Sequence, residues 1–510
     1  MTDTTTFDAE VGIIGYGPSG VAAANFLGAA GISTLAIERD KDIYSRARAI
    51  TVNDWTMRIF QSVGLDDALK QGMDVTHSLR WIDYNGNELT RLGFPPSDMG
   101  HARSYAIYQP EMEKTLREGA ERFSDHVTVR YGAEVTGVNQ DAEGVTLEIT
   151  DRDTGTTETK RVRYVLACDG GSSATRESLG IQLIGDTLET RWIVIDARVK
   201  RWWPDRHVLT FWSDKERPVV DVALSMGNHR WELPLGPEDK DSDFQTHDQI
   251  WALLSTLGVT PEHVELHQHA FYNHHIRHAE RWREGRVFLL GDAGHLMPPW
   301  AGAGMQSGVR DAQNISWKLA GVLKGTLPES ILDTYEAERA PDVERYTQIA
   351  IQLGRIIKQE LTEEELAAMQ PPPDAEPELP PLLQPPVLMG GWVSPGNAQA
   401  VGQFLPQPRA AGSNGKLGLL DHFLGDGFTV LGADCDPAEA MTTEEKQGWE
   451  ALGARFLALR SADQHSQSDT DLIDIDGTLI AWLKARGADV IVLRPDRFIA
   501  AASGNLSVPA

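Results

Sequence analysis

The chain has 510 residues, of which 41% are hydrophobic, enough for two or three domains and a sizeable buried core. Its net charge of −27 argues against nucleic acid or an anionic membrane surface as a partner. The cysteines Cys168 and Cys435 are too few for a disulfide scaffold, an iron–sulfur site or a multi-cysteine zinc site. Without a signal-peptide pattern or an apolar run near the roughly 20 residues that span a bilayer, the sequence predicts a soluble, cytoplasmic protein.

The first apolar run, residues 10–14, leads into a glycine-rich loop and a helical pattern. Gly15 allows a tight turn, Gly17 lets the backbone approach a pyrophosphate, and Gly20 lets the helix pack closely on the strand. The next strand ends at Glu38, whose carboxylate can accept hydrogen bonds from a ribose and repel a 2′-phosphate. This unit predicts a bound dinucleotide but does not separate FAD from NAD.

The later elements divide the chain into five segments and predict an α/β fold class. Residues 1–180 and 286–365 carry alternating strand and helix signals, which predict one Rossmann-like domain in two parts. Residues 181–285 carry the strands of a mixed sheet and predict an inserted substrate domain. The stretch 366–400 is proline-rich and predicts a linker, and 401–510 predicts a small α/β domain.

A second apolar strand, residues 287–290, completes the nucleotide site in the sequence. Asp292 follows it, and its carboxylate can hold a sugar-like polyol. Gly302 and Gly304 then expose amides at the start of a helix predicted over 307–323. Because such amides stabilise negative charge on a reduced flavin ring, the two segments together predict FAD.

Three motifs resemble those of the single-component flavin-dependent aromatic hydroxylases, the family typified by p-hydroxybenzoate hydroxylase and phenol hydroxylase. They are the N-terminal glycine loop, Cys168-Asp169-Gly170, and Gly291-Asp292 with its glycine-rich helix start. Four further runs look most like the family's 3-(3-hydroxyphenyl)propanoate hydroxylase branch: residues 48–50, 107–110, 192–196 and 494–498. The resemblance covers almost the whole chain. It implies a Rossmann-like FAD-binding domain with an inserted mixed-sheet substrate domain, a thioredoxin-like C-terminal domain without a redox CxxC, and a homodimer.

The resemblance also implies roles for individual residues. The adenosine half of FAD would be held by Gly15, Gly17, Ser19, Gly20, Glu38 and Arg39. The pyrophosphate and ribityl chain would meet Arg48, Gln109 and Asp292, and Asp169 with Gly170 would position the cofactor and the passage of NAD(P)H. The isoalloxazine would face Gly302, Gly304, Met305 and Gln306, after the rigid turn at Pro298. The family usually reads GQGxN here, but this chain has Ala303 and Gln306, which puts the side-chain contact to the flavin in doubt.

The predicted strand over 264–275 supplies the candidate catalytic residues, Tyr272 and His274, which alternation places on one face; ordinary packing is the competing interpretation. Six histidines cluster nearby, but alternation splits them across two faces, so no metal site is predicted. They are His263, His267, His269, His274, His275 and His278. Asp54 precedes a helical pattern and is better interpreted as an N-cap than as a catalytic acid.

Four residues are candidates for the substrate site, each with simple packing or a solvated charge as the alternative. Arg217 and Arg230 could receive a substrate carboxylate, and Trp212 and Trp300 could wall an aromatic pocket.

By this resemblance the chain would be an FAD-dependent monooxygenase that hydroxylates a small phenolic acid at the ortho position through a C4a-hydroperoxyflavin. O2 would be the co-substrate, and NADH or NADPH a transiently docked reductant, since no second complete GxGxxG unit occurs. One alternative applies the same chemistry to a larger aromatic such as a polyketide or antibiotic. Another is a non-catalytic flavin-binding redox sensor. A flavin halogenase is disfavoured because no WxWxIP-type motif occurs.

Overall fold

The computed structural model describes residues 6–368, 379–395, 399–464, 466 and 468–509. Its first sheet has the parallel order 287–289, 157–167, 9–14, 34–38 and 127–131, with the glycine-loop strand in the middle. Ligands of such sheets bind beyond the carboxyl ends of the strands, which is where the glycine loop lies. The strands are Ala9–Ile14, Thr34–Glu38, Val127–Tyr131, Ala133–Gln140, Val145–Asp151, Thr157–Ala167, Arg283–Glu284 and Val287–Leu289.

Helices cover this sheet and continue beyond it. The helix predicted over 307–323 is present and begins three residues earlier, at Gly304. The α-helices of this part are Pro18–Ala29, Asp54–Gln61, Asp66–Lys70, Gln109–Glu121, Ala174–Ser178, Gly304–Leu323, Thr334–Ile357 and Glu363–Ala368. The short strands Thr51–Asn53, Met73–Val75 and Ser104–Ile107 form a separate small sheet.

The second large sheet is built on two long antiparallel strands, Leu183–Val199 and Val264–Ala279. One face packs against the helix His247–Ser255, and the other carries Trp192, Phe211 and Val220 toward Ile357 of the FAD-binding domain. The remaining strands are Ser78–Ile82, Glu88–Gly93, Leu209–Trp212, Val219–Ala223, Asn228–Pro234 and His295–Leu296. The sheet therefore recruits strands from both sides of the predicted 181–285 insert.

A third, seven-stranded sheet forms the C-terminal domain. Its strands are Arg409–Gly412, Leu417–Leu419, Thr429–Ala433, Arg455–Ser461, Asp471–Asp474, Val490–Leu493 and Ile499–Ala502, and its helices are Asp421–Leu424, Thr443–Ala451 and Thr478–Lys484. Of the predicted linker, residues 369–378, with Pro371 to Pro373, and residues 396–398 lie outside the described part of the chain. Within the described part, no helix is long and apolar enough to cross a membrane.

Buried ion pairs hold the C-terminal domain on the FAD-binding domain. Arg494 donates to Glu338 through both terminal nitrogens, at 2.8 and 2.7 Å, and Lys318 reaches the same carboxylate at 2.9 Å. Arg58 makes two 2.8 Å hydrogen bonds with Asp421. All five side chains are nearly inaccessible to solvent, so the Arg494–Glu338 and Arg58–Asp421 pairs, which cross the domain boundary, make the charges of each domain depend on the other.

Candidate active site

The three glycines of the N-terminal loop meet different surroundings. Gly15 has φ +91°, and a Cβ there would lie 2.5 Å from the carbonyl oxygen of Cys168. A Cβ at Gly20 would strike the carbonyl oxygen of Gly15, so these two positions are fixed by the packing of the protein itself. A Cβ at Gly17 would meet no atom within 4 Å. The open space beside Gly17, at the start of the helix Pro18–Ala29, suits a pyrophosphate.

Ser19 connects the two distant segments of the site. Its Oγ lies so close to Gly291 and Gly308 that a Cβ at Gly291 would come within 2.6 Å of it, and one at Gly308 closer still. The serine therefore packs the glycine loop against the strand end that carries Asp292. This contact between residues far apart in the chain makes the two segments a single site.

Glu38 points back at the glycine loop. Its Oε2 accepts a hydrogen bond from the backbone N–H of Tyr16 at 2.6 Å, and its Oε1 accepts from that of Asp40 at 2.9 Å. The neighbouring Arg39 is largely exposed and lies 3.7 Å from the carboxylate of Asp40. Contacts of Glu38 and Arg39 with the adenosine half remain predictions.

Arg48 and Asp292 come together from the two segments, with Nη1 of the arginine 3.7 Å from Oδ2 of the aspartate. Their side chains are 70% and 43% exposed, so both are accessible to a ligand. Gln109 is buried: its Oε1 accepts from the N–H groups of Arg48 and Ala49 at 2.8 and 2.7 Å, and its Nε2 donates to Glu113. The structure thus places Gln109 behind the predicted ribityl contact, where it positions the backbone at Arg48.

The Asp169-Gly170 pair forms a turn into the short helix Ala174–Ser178. Oδ1 of Asp169 accepts from Ser173 Oγ at 2.5 Å, its Oδ2 accepts from the Thr175 N–H at 3.0 Å, and Gly170 has φ +82°. The carboxylate therefore fixes this turn. A further role in NAD(P)H passage remains a prediction.

The side chain of Gln306 makes its hydrogen bonds within the protein, and its contact with the isoalloxazine stays a prediction. It is buried, its Oε1 accepts from the Asn53 N–H and from Thr56 Oγ1, each at 2.9 Å, and its Nε2 donates to the Gly302 carbonyl at 2.6 Å. Gln306 thereby holds the turn that begins after Pro298, in which Gly302 has φ +59°. The departure from the usual asparagine serves this internal bracing.

The amides at the start of the long helix remain available for a flavin. Ala303 caps the helix without a side-chain hydrogen bond, Gly304 is its first residue, and Met305 is half-buried. Because unpaired amides at a helix N-terminus favour negative charge, the backbone here fits the predicted isoalloxazine contact.

Asp311, which the sequence analysis missed, is buried and holds the strand end at Gly291 by a hydrogen bond. Its carboxylate accepts from the Gly291 N–H at 3.0 Å, from His295 at 2.7 Å and from Arg339 at 2.8 Å. Burial would raise the pKa of Asp311, but His295 and Arg339 lower it below its ordinary value. A polar residue on the buried face of a predicted helix was the available sequence signal.

On the substrate sheet, the structure brings together Tyr272, His274 and Trp300, with Trp192 beside them. The His274 ring centroid lies 5.1 Å from that of Tyr272, 5.3 Å from Trp192 and 5.0 Å from Trp300. Neither ring nitrogen of His274 has a hydrogen-bond partner among the described residues. Burial, with smaller contributions from His275 and Lys358, lowers the pKa of His274 to about 4, so the ring is neutral at pH 7.

Tyr272 also faces Glu232, an acid that the sequence analysis missed. Burial and then the neighbouring Glu232 raise the pKa of Tyr272 far above its ordinary value. Burial likewise raises the pKa of Glu232, against the opposing effect of Arg230. A protonated phenol next to a carboxyl group of raised pKa can pass a proton.

Arg230 does not offer a free charge to a substrate. It is 3% exposed, makes hydrogen bonds of 2.7 and 2.9 Å to Asp196, and donates to the carbonyl oxygens of Ala47 and Arg48. The contact with a substrate carboxylate stays a prediction, and these internal partners weigh against it. Arg230 instead ties the substrate sheet to the loop that carries Arg48.

Arg217 and Trp212 also have partners within the protein, and their contacts with a substrate stay predictions. Arg217 lies in the loop before the strand Val219–Ala223 and is paired with Asp239 at 2.5 Å. Trp212 packs with Val219 on the opposite face of the sheet from Trp192, and its Nε1 donates a hydrogen bond to Asp221 at 3.0 Å.

Asp54 also differs from its predicted role. The N-cap of the helix is Asn53, whose Oδ1 accepts from the Thr56 N–H at 3.0 Å. Asp54 is the first helical residue and is held by Arg103 at 3.0 Å. Across the described residues, no group of three histidine, cysteine or acidic side chains is arranged to hold a metal ion, the histidine cluster included.

Comparison with known families agrees with this architecture. A family model described as "FAD binding domain" matches residues 8–350, and one described as "HcaD C-terminal domain" matches residues 402–510. The chain therefore belongs to the FAD-binding monooxygenase family of flavin-dependent aromatic hydroxylases, and it binds FAD.

Two full-length relatives carry a more specific name, 3-(3-hydroxy-phenyl)propionate/3-hydroxycinnamic acid hydroxylase. The one from Burkholderia cenocepacia is 34% identical over 96% of this chain and 93% of its own length. The one from Mycolicibacterium smegmatis is 34% identical over 97% of this chain and 90% of its own.

Two solved structures share the fold. The flavin-dependent monooxygenase PieE, in complex with FAD and substrate, has a TM-score of 0.81 at 23% identity and covers 98% of this chain and 97% of its own. Aklavinone-11 hydroxylase, with FAD and aklavinone, has a TM-score of 0.81 at 22% identity, with coverages of 99% and 97%.

Proposed function

We propose that this enzyme uses NADH or NADPH and O2 to hydroxylate a small phenolic acid, of the 3-(3-hydroxyphenyl)propanoate or 3-hydroxycinnamate type, ortho to its hydroxyl group. The observation that carries the proposal is the 34% identity, over 96% of the chain, to a relative of that name. In the overall reaction, one oxygen atom of O2 enters the ring. The other leaves as water, with the two electrons coming from NAD(P)H.

Bound FAD would supply the redox chemistry that takes up these electrons and activates O2. The residues that would hold it are those with free space or exposed charge: Gly17 for the pyrophosphate, Arg48 and Asp292 for the pyrophosphate and ribityl chain, and the amides of Gly304 and Met305 for the ring. Gln306, Gln109 and Asp169 would position the backbone around it.

The aromatic ring of the substrate would lie against Trp300, which packs edge-on against the buried Trp192 in an apolar cluster that excludes water. His274, neutral and without a hydrogen-bond partner among the described residues, can donate a hydrogen bond from its ring N–H to the oxygen of the substrate hydroxyl. Tyr272 can pass the proton of that hydroxyl to Glu232, which raises the nucleophilicity of the ring.

We also infer finer features of the assembly. A thioredoxin-like C-terminal domain is supported by parallel strands at 429–433, 455–461 and 471–474, followed by antiparallel strands at 490–493 and 499–502. The segment from residue 401 onward contains one cysteine, Cys435, so a redox CxxC is absent. A cytoplasmic homodimer is the expected assembly, and light scattering on the purified protein tests its stoichiometry.

The proposal is tested by following NADH and NADPH oxidation by the yellow holoenzyme with phenolic acids and with larger polycyclic phenols. We expect phenylpropanoids to stimulate oxidation and to yield a catechol carrying one atom of 18O from 18O2. Product from the polycyclic phenols alone would favour the larger-aromatic alternative. NAD(P)H oxidation that no phenol changes would favour a redox sensor.

A further inference from the structure

A cavity lies between the FAD-binding and C-terminal domains, and its lining contains none of the residues predicted to hold FAD. Its volume is about 180 Å³. The helices Gly304–Leu323 and Thr334–Ile357 form one side, residues 386–389 form the opening, and Phe498 of the C-terminal domain closes the far side. A cavity of roughly 150 Å³ is enough for a benzene molecule, so this one accommodates a single aromatic ring with a small substituent.

Arg310 forms part of the wall of this cavity and makes no side-chain hydrogen bond among the described residues. Its side chain is 2% exposed, and its guanidinium carbon lies 3.8 Å from the ring centroid of Trp55 and 4.7 Å from that of Tyr346. None of its three nitrogens has a hydrogen-bond partner among the described residues. Because the two rings cover the faces of the guanidinium, a partner must approach its edge.

The charges around Arg310 leave an excess of positive charge. Asp342 is the nearest carboxylate, and it faces three arginines: Arg339 at 2.7 Å, Arg310 at 3.7 Å and Arg345 at 3.9 Å. Arg339 also forms an ion pair with Asp311. The other acids that line the cavity, Glu338 and Asp496, form ion pairs with Arg494. A bound anion would add to the compensation of a buried guanidinium whose one nearby carboxylate, Asp342 at 3.7 Å, is shared with two other arginines.

We propose that this cavity binds a small aromatic carboxylate, with its carboxylate on the edge of Arg310 and its ring among Trp55, Leu388 and Phe498. Half of the lining residues are apolar and half are polar or charged, a mixture that favours an organic anion over a fully hydrated inorganic ion. The occupant would lie against the helix that begins at Gly304, one turn beyond Gln306. The inference does not rest on the proposed substrate, since it uses residues outside the flavin cleft.

Crystals of the FAD-loaded enzyme soaked in 4-bromobenzoate, and separately in sodium bromide, locate the anion directly through the anomalous signal of bromine. We expect a bromobenzoate peak within the cavity, with its carboxylate at hydrogen-bond distance from Arg310. Bromobenzoate found only beside Trp300, or at neither place, would overturn the proposal. Bromide in the cavity without bromobenzoate would show an inorganic anion site and would also overturn it.

Calorimetric titration of the same holoenzyme with benzoate and with neutral benzamide supplies the solution measurement. We expect Val387→Trp, which fills the opening from a half-exposed position, to weaken benzoate binding at this site at least tenfold. Arg310→Lys keeps the positive charge but loses the bidentate geometry of the guanidinium. We expect it to weaken benzoate binding less than Val387→Trp does. Equal affinity for benzamide and benzoate, or no change in Val387→Trp, would contradict the assignment.

Discussion

Oε1 of Gln306 accepts a hydrogen bond from the backbone N–H of Asn53, a residue 253 positions earlier, at 2.9 Å. The same side chain donates to the carbonyl oxygen of Gly302 at 2.6 Å. One amide thus fixes the spacing between the small strand Thr51–Asn53 and the turn that leads to the flavin-facing amides. The arrangement makes Gln306 a positioning residue whose effect reaches the cofactor through the backbone.

Replacing Gln306 with leucine would leave buried hydrogen-bonding groups without partners at Asn53, Thr56 and Gly302. We expect a loss of about 3 kcal/mol in the unfolding free energy and an FAD dissociation constant raised roughly tenfold. Denaturant unfolding and quenching of FAD fluorescence measure the two effects. The exposed Gln348→Leu is the control and should change neither. Unchanged FAD affinity in Gln306→Leu would refute the positioning role.

Alanine at the two loop glycines should have separable effects. Gly15→Ala forces a side chain onto a backbone with φ +91° and toward the carbonyl of Cys168, so we expect the apoprotein to lose about 1–3 kcal/mol of stability. Gly17→Ala has room in the protein and an ordinary φ of −72°, so the apoprotein should be unaffected while FAD binds at least ~10-fold more weakly. Thermal unfolding of both apoproteins, with FAD titrations, compares them. Tight FAD binding by Gly17→Ala would contradict the placement of the pyrophosphate.

We expect Arg230→Met to lower protein stability and FAD retention rather than the affinity for substrate. Removal of the guanidinium leaves the half-buried Asp196 without its ion-pair partner and frees the carbonyl oxygens of Ala47 and Arg48. We expect a stability loss of about 3–5 kcal/mol and faster FAD release. Arg217→Met, which breaks a more exposed pair, should change stability by less than ~1 kcal/mol. A raised KM for a phenolic acid, with normal stability and FAD retention in Arg230→Met, would restore the substrate role.

The buried ring of His274 makes stability depend on pH. Burial lowers the pKa of His274 from its ordinary 6.5 to about 4 on folding, so the unfolded chain binds the proton more tightly. The stabilisation from the neutral ring is complete above pH 6.5 and is lost as the pH falls toward 4. Between pH 7 and pH 5, we expect the unfolding free energy of His274→Phe to fall by about 2 kcal/mol less than that of the parent protein. Urea unfolding at the two pH values measures this, with the exposed His278→Phe as control. Parallel pH profiles would show that the ring is solvated.

The parts of the site that sequence predicts well are those set by local backbone geometry. The turn at Gly15, the strand end before Asp292 and the helix start at Gly304 each follow from a few adjacent residues, and the structure contains all three. Tyr272 and His274 were placed on one face by alternation alone, and their rings do meet.

The hydrogen-bond partners of the side chains cannot be predicted from a few adjacent residues in this way. Arg230 was interpreted as a free cation because its backbone acceptor, Ala47, lies 183 positions away in the sequence. The hydrogen bonds of Gln306 were hidden for the same reason, since an amide near a flavin and an amide bracing a turn look alike in one chain. Trp212 lies on the expected strand but on the face opposite Trp192, because a short strand with apolar residues on both sides gives no clear alternation.

The pairing of Arg494 with Glu338 also bears on the synthesis of the protein on the ribosome. The helix that carries Glu338 is translated 156 residues before its guanidinium partner, and until then Lys318 is its one neighbouring cation among the described residues. Until the last strands leave the exit tunnel, this carboxylate therefore lacks its bidentate partner. Frameshifts or proteolytic cuts near the C-terminus would thus be felt in a domain that was translated long before them.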